Sequence, residues 1–140
     1  MSELKKKILA KIDRPTLSAL ATITEDGKPW VRYVTPMADE NLNIWMATFA
    51  QSRKVGQIAK NPEVHLTVGV TTMETAESYL QVQGRAEILS DEATKKAVWN
   101  DHLKGIFSGP DDPNYSVCKI TPYRIEYQGM GPVPPEVWEP

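Results

Sequence analysis

The chain has a single cysteine, so no internal disulfide can form and stability must come from a packed core. It has no apolar run of membrane-spanning length. Its first residues, Met-Ser-Glu-Leu-Lys-Lys-Lys, lack the apolar centre of a signal peptide. The expectation is a cytoplasmic chain with no membrane partner. Cationic excess is also missing: 16 Lys and Arg face 18 Asp and Glu, a net charge of −2. Lys5, Lys6 and Lys7 form the one cationic run and read as the solvated face of a helix. Non-specific nucleic-acid binding, which depends on clustered cations and interleaved aromatics, is therefore excluded. The two histidines, His65 and His102, lie far apart with no cysteine or carboxylate at ligand spacing, so no metal site is expected. The glycines form no dinucleotide fingerprint. Asp111, Asp112 and Glu126 are not paired for acid–base work, and Asp111-Asp112 suits a turn between Pro110 and Pro113.

What remains is an ordinary globular composition over 140 residues, enough for one domain with a real core. Ser2 is placed to cap a first helix carrying Leu4, Ile8 and Ile12 at helical spacing. Strands are predicted over Leu17–Thr24 and Trp30–Thr35, joined at Asp26-Gly27, a dipeptide suited to a tight hairpin with positive φ at both central positions. A third strand is predicted over Leu42–Ala47. Alternation continues over Val64–Val70 and Tyr79–Ile88, where Gly84 marks a bulge or bend. A helix capped by Ser90 is predicted from Asp91 to about Ile106. The last strand spans Tyr115–Tyr127, with Pro122 at an edge or bend. Cys118 lies within its alternation and reads as a buried, inert thiol. Residues 1–128 form the domain. The tail 129–140 holds four of the eleven prolines and reads as an extended arm.

Six strands and few helices predict a mainly β, α+β fold: a small antiparallel barrel. Large side chains occupy both faces of the second strand, with Trp30 and Val34 against Val31 and Tyr33. One face can fill the barrel, and a second copy of the chain is the economical cover for the other.

The segment richest in chemistry is Thr48–Pro62. An apolar run ends at Thr48. Ser52, Arg53 and Lys54 follow, and then a short amphipathic helix, Val55–Lys60, closed by Asn61-Pro62. Ser52 is placed to cap that helix. Two adjacent cations at a helix N-terminus are poorly placed, because that end is already positive and its N–H groups lack partners. A bound phosphate resolves the conflict; an ordinary surface pair is the alternative. Arg32 sharpens the case. It interrupts an apolar strand, where a charge should be paired or should bind something. A carboxylate such as Glu87 is the alternative partner.

Val31-Arg32-Tyr33-Val34, Thr48 at a strand end, Ser52-Arg53-Lys54, Asn61-Pro62 and Gly84-Arg85-Ala86-Glu87 occur in that order. Together they resemble the FMN-binding split β-barrels of the pyridoxamine 5'-phosphate oxidase-like family. Ser108–Tyr115, followed by Ile125-Glu126-Tyr127, is similar to the general stress protein branch. The resemblance spans Leu17–Gln128. It implies a homodimeric six-stranded antiparallel split barrel with two FMN sites at the subunit interface. It further implies that Arg32, Arg53 and Lys54 hold the FMN phosphate, with Ser52 and Thr48 donating hydrogen bonds. The backbone from Val34 to Met37, with Tyr33 and Thr35 beside it, would lie along the flavin ring, and Tyr79 and Gln81 would reach it from the second subunit.

The chain also departs from that pattern. The oxidases named for pyridoxamine phosphate carry a basic C-terminal segment for the substrate phosphate, whereas residues 129–140 here hold no Arg, Lys or His. That activity is not expected. Gln128 stands where the stress-protein branch often has Trp; Trp138 and Trp99 are the other candidates for an aromatic wall, and Trp99 reads first as core. The expectation is a flavin-dependent oxidoreductase of unassigned substrate, with NADH or NADPH as a donor to test. The alternatives are a non-enzymatic FMN-binding protein, a split barrel holding a deazaflavin or haem, or a cofactor-free partner-binding barrel.

Overall fold

The computed structural model describes all 140 residues. Helix α1 (Glu3–Ile12) opens the chain; the Ser2 hydroxyl accepts from the Lys5 N–H, and Ile8 and Ile12 are buried. The strands follow as β1 (Ser18–Ile23), β2 (Pro29–Val34), β3 (Met37–Ala38) and β4 (Ile44–Phe49). After helix α2 (Arg53–Lys60) come β5 (Glu63–Val68) and β6 (Ser78–Leu89). Helix α3 (Glu92–Val98) leads to β7 (Tyr115–Gly129) and β8 (Glu136–Trp138).

All pairings are antiparallel, in the order β2-β1-β5-β6-β7-β4-β3, with β8 on the flank of β7. The strands at the two ends of this order, β2 and β3, are separated in sequence only by Thr35 and Pro36. The sheet therefore curls until its ends meet, without hydrogen bonds closing the seam: a split barrel. Seventeen buried apolar residues from α1, α2, the strands and the turn at Leu42 fill it. Most come from alternate positions such as Leu20, Leu66, Leu80, Val82 and Ile120.

Gly84 sits at a register shift between β6 and β7, as expected. A Cβ there would meet Ile120 Cγ2 at 2.7 Å and the Thr121 carbonyl oxygen at 2.9 Å, so only glycine allows this approach. Beneath it, Pro122 bends the long β7. The upstream half of β7 pairs with β4, and its downstream half with β8.

Several sequence expectations are corrected. The β1–β2 hairpin has positive φ only at Gly27, not at Asp26. Gly27 N–H bonds the Thr24 carbonyl and Thr24 N–H bonds that of Lys28, a turn ending in a left-handed glycine. Thr48 lies inside β4, which runs on to Phe49. The helix expected to Ile106 ends at Val98, and Asp91, not Ser90, caps it. Asn100 competes for the backbone by accepting the His102 N–H, which starts a separate 3-10 turn at Asp101–Leu103.

There are eight strands, not six, because the short β3 and the tail strand β8 were not visible as periodicity. The tail is not a free arm. Glu136 pairs with Lys7, Arg124 Nη1 lies 3.4 Å from Glu139, and Trp138 packs on the core. Neither Trp138 nor Trp99, which meets Tyr115 edge-on at 5.6 Å, lines the cavity described below.

Cys118 is fully buried. Burial pushes its thiol up to about 12, against a weaker opposing pull from Lys54. The folded chain therefore keeps this proton to a higher pH than the unfolded chain. The stability it contributes is present below the ordinary thiol value of 9.0 and is lost as pH climbs from there toward 12. Two results are expected: no reaction of the native protein with thiol reagents at pH 8, and a flatter alkaline stability profile for Cys118→Ala.

Candidate functional site

The candidate site forms where β4 hands over to α2. Thr48, buried near the end of β4, places its hydroxyl 3.2 Å from that of Ser52. Ser52 occupies the N-cap position of α2, but its side chain caps nothing. It accepts instead from Lys54 Nζ at 3.5 Å. The expected side-chain cap bond is therefore absent; the Val55 N–H bonds the Ser52 carbonyl, and those of Arg53 and Lys54 are left for another acceptor.

Arg32 reaches this corner from β2. Its Nη1 donates to Thr22 Oγ1 at 2.7 Å and lies 3.2 and 3.3 Å from the carbonyls of Trp30 and Leu20; Nη2 donates to Gln57 Oε1 at 3.0 Å. No carboxylate partners it, so Glu87 does not fill the role weighed from sequence. The Arg53 guanidinium stacks over the Trp30 ring at 5.3 Å. The nine ion pairs of the chain include none of Arg32, Arg53 and Lys54.

These cations feel one another. Burial first, and Arg53 second, hold the Arg32 guanidinium below its ordinary value. Burial first, and Arg32 second, do the same for the Lys54 ammonium. Like charges with no counter-ion, at an uncapped helix start, make a site that a dianion would relax.

Beside the cluster opens a cavity of about 280 Å³, lined by Tyr33, Val34, Thr35, Thr48 and Lys54 on one side. Its opposite wall is Leu103, Ile106 and Phe107, with His102 among them. A second small core holds that wall in place. Phe107 stacks on Tyr115 at 5.1 Å, and the Tyr115 hydroxyl donates to the Lys95 carbonyl at 2.8 Å. The wall escaped sequence analysis because residues 99–106 were assigned to a helix. Gln57 and Thr22 were also missed, although Gln57 lies one helical turn after Arg53 and so shares its face.

Of the ten residues singled out from sequence, Arg32, Tyr33, Val34, Thr35, Thr48, Ser52, Arg53 and Lys54 converge on this corner. Tyr79 and Gln81 do not. Gln81 lines a separate polar depression with His65, Gln83, Arg124 and Glu126, on the outer face of β5, β6 and β7. Tyr79 stands opposite Gln128 in the register. Within one chain, neither belongs to the cavity.

No group of three or more His, Cys, Asp or Glu is arranged to hold a metal ion. No helix is long and apolar enough to cross a membrane.

Comparison with known proteins agrees with the fold. The chain is similar to general stress protein 26 of Bacillus subtilis (strain 168), 33% identical over 129 residues that cover 92% of this chain and 91% of the relative. The crystal structure of general stress protein 26 from Bacillus anthracis str. Sterne superposes with a TM-score of 0.82 at 33% identity, covering 99% of each chain. A solved F420 reductase superposes with a TM-score of 0.66 at 25% identity, covering 83% of this chain and 93% of its own. The family model described as pyridoxamine 5'-phosphate oxidase matches residues 4–129, from α1 through the end of β7. With its split barrel and nearly its whole length accounted for in this way, the chain belongs to the pyridoxamine 5'-phosphate oxidase family.

Proposed function

We propose that the chain binds FMN at the Arg32–Arg53–Lys54 corner and serves, as a homodimer, as a flavin-dependent oxidoreductase. The observation that carries this reading is the meeting of Arg32 from β2 with Arg53 and Lys54 at the start of α2, three cations without a carboxylate partner, beside a largely apolar cavity that Lys54 lines. Phosphate matches the first feature and a flat aromatic ring the second. Arg32 and Arg53 offer planar forks to phosphate oxygens, and Lys54 adds a point charge. Ser52 and Thr48 supply hydroxyls at the same corner.

When bound, the flavin supplies the hydride chemistry. The chain's part is to orient it: the edge at Val34 and Thr35 on one side, the apolar wall of Leu103, Ile106 and Phe107 on the other, with water excluded between them.

The cavity of one protomer, about 280 Å³, lies at the small end for such a ligand. A second subunit would complete it. Tyr33, Val31 and Trp30 on β2 are 78%, 64% and 47% exposed, and Leu17, Phe49 and Ile106 near the cavity mouth are about half exposed. This apolar surface supports a dimer whose seam runs along the site, and Tyr79 and Gln81 would then act on the partner's flavin. A dimeric mass in solution light scattering is the expected result; a monomeric mass at micromolar concentration would remove the second subunit from the site.

The direct test is the visible spectrum of the purified protein before and after adding FMN and desalting. A retained flavin spectrum is expected, with bleaching by NADH or NADPH under argon. Failure to hold FMN would overturn the cofactor assignment. Tight retention without bleaching by either donor would instead make the chain a flavin-sequestering protein.

A further inference from the structure

We propose that Gln57, braced by Thr22, is a positioning residue: it fixes the Arg32 guanidinium with one edge turned to the ligand phosphate and, being a neutral amide, leaves the charge of that guanidinium unspent. This rests on the phosphate reading of the cluster and adds to it a reason why Arg32 is selective.

The geometry is specific. Arg32 spends its Nη1 and Nη2 donors on two oxygens, Thr22 Oγ1 and Gln57 Oε1. Those oxygens are themselves hydrogen-bonded, with Thr22 donating to Gln57 across 2.5 Å. Two acceptors that close together match the spacing of the two terminal nitrogens of a guanidinium, so they occupy its end-on edge. The side-on edge, Nε–H with the outer hydrogen on Nη2, has no acceptor in the chain. That edge is the second of the two forks by which arginine grips an oxyanion.

The usual way to hold a half-buried arginine is a carboxylate, which would also neutralise it. Here every partner is neutral: a hydroxyl, an amide oxygen and two backbone carbonyls. Thr22 is fully buried, and its Oγ1 accepts from Arg32 while donating to Gln57, so both of its roles are fixed. Gln57 lies on α2 one turn beyond Arg53, so the helix whose N-terminus faces the phosphate also sets the arginine arriving from β2. Arg53 is handled the same way, by the π face of Trp30 instead of an anion.

The test compares the affinities of FMN and riboflavin, which differ only by the phosphate, measured by titration calorimetry on the full chain. Wild type is expected to prefer FMN by about tenfold or more. Gln57→Glu adds one oxygen and one negative charge at the same spot. It is expected to cut FMN affinity by at least about tenfold while riboflavin affinity moves less than about threefold, because the new carboxylate claims Arg32. Gln57→Ala removes the brace without adding charge and is expected to give a smaller loss in the same direction. An FMN-to-riboflavin ratio in Gln57→Glu equal to that of wild type would overturn the proposal. If that variant does not fold, the same unchanged ratio in Gln57→Ala overturns it. A wild type that binds both ligands equally would instead sink the phosphate reading, and the role of Gln57 with it. A merely structural part for Gln57 would lower the melting temperature and leave the ratio where it was.

Discussion

Replacing Arg53 and Lys54 together with alanine is expected to weaken FMN binding by at least about a hundredfold. Each residue would give up a charge-assisted hydrogen bond to phosphate, roughly 1.5–3 kcal/mol apiece, and 1.4 kcal/mol is tenfold in affinity. Riboflavin, lacking the phosphate, should bind the variant within about threefold of wild type, since the apolar wall is intact. The stability of the ligand-free protein should change little, the relief of repulsion offsetting the lost Arg53 contact with Trp30. Arg32 and Lys54 already repel each other, and neither cation removed has an acidic partner to orphan. A variant that folds, melts close to wild type and has lost its yellow colour is the predicted outcome. A variant that keeps a full flavin spectrum after desalting would show that the phosphate lies elsewhere.

The second large effect is expected at Tyr115, which no ligand would touch. It is fully buried, packs its ring against Phe107, meets Trp99 edge-on, and carries Lys95 Nζ over its ring at 5.4 Å. Tyr115→Ala should cost about 3–5 kcal/mol, as for other large aromatic truncations in a core. Tyr115→Phe deletes only the bond to the Lys95 carbonyl and should cost about 1 kcal/mol. Urea unfolding of both variants measures the difference. The functional consequence separates wall from clamp. With Tyr115 gone, Phe107 and Leu103 lose their backing, so FMN and riboflavin should weaken together and their ratio should stay at the wild-type value. The Arg53 and Lys54 variant changes that ratio, and Tyr115→Ala should not. Equal unfolding free energies for Tyr115→Ala and Tyr115→Phe would mean the small second core does not support the wall.

The clamp was legible in the sequence because it breaks local rules. Arg32 sits in an apolar strand, and Arg53-Lys54 opens a helix where cations are disfavoured. Conflicts of that kind survive where a site needs them. The main strands were legible through alternation, and Gly84 through its interruption of that pattern. The cavity wall was not, because Ala93, Ala97, Val98 and His102 keep helical spacing while Asn100 diverts the backbone locally. Strand β8 was hidden for another reason. Its three residues are too few to show a period, and what holds them is tertiary: the ladder with β7 from Ile125 to Tyr127, and Lys7 on α1. The role of Gln57 depends on the register of β1 with β2 and on the approach of α2 to β1, neither of which a single sequence displays.

The depth at which Cys118 lies has a bearing on life beside a redox cofactor. Reduced flavins exposed to air yield peroxide, and the form of cysteine that peroxide attacks is the thiolate. With the thiol pushed up to about 12, the thiolate fraction at neutral pH is on the order of one in a hundred thousand. The sulfur also lies within the barrel core, out of reach of solvent. The one residue able to climb the sulfenic, sulfinic and sulfonic ladder is thus withheld from any peroxide that a bound flavin would release. Native protein held in dilute peroxide should therefore show no oxidised Cys118 by peptide mass spectrometry, with any added oxygen confined to exposed methionines such as Met73, which is 86% exposed.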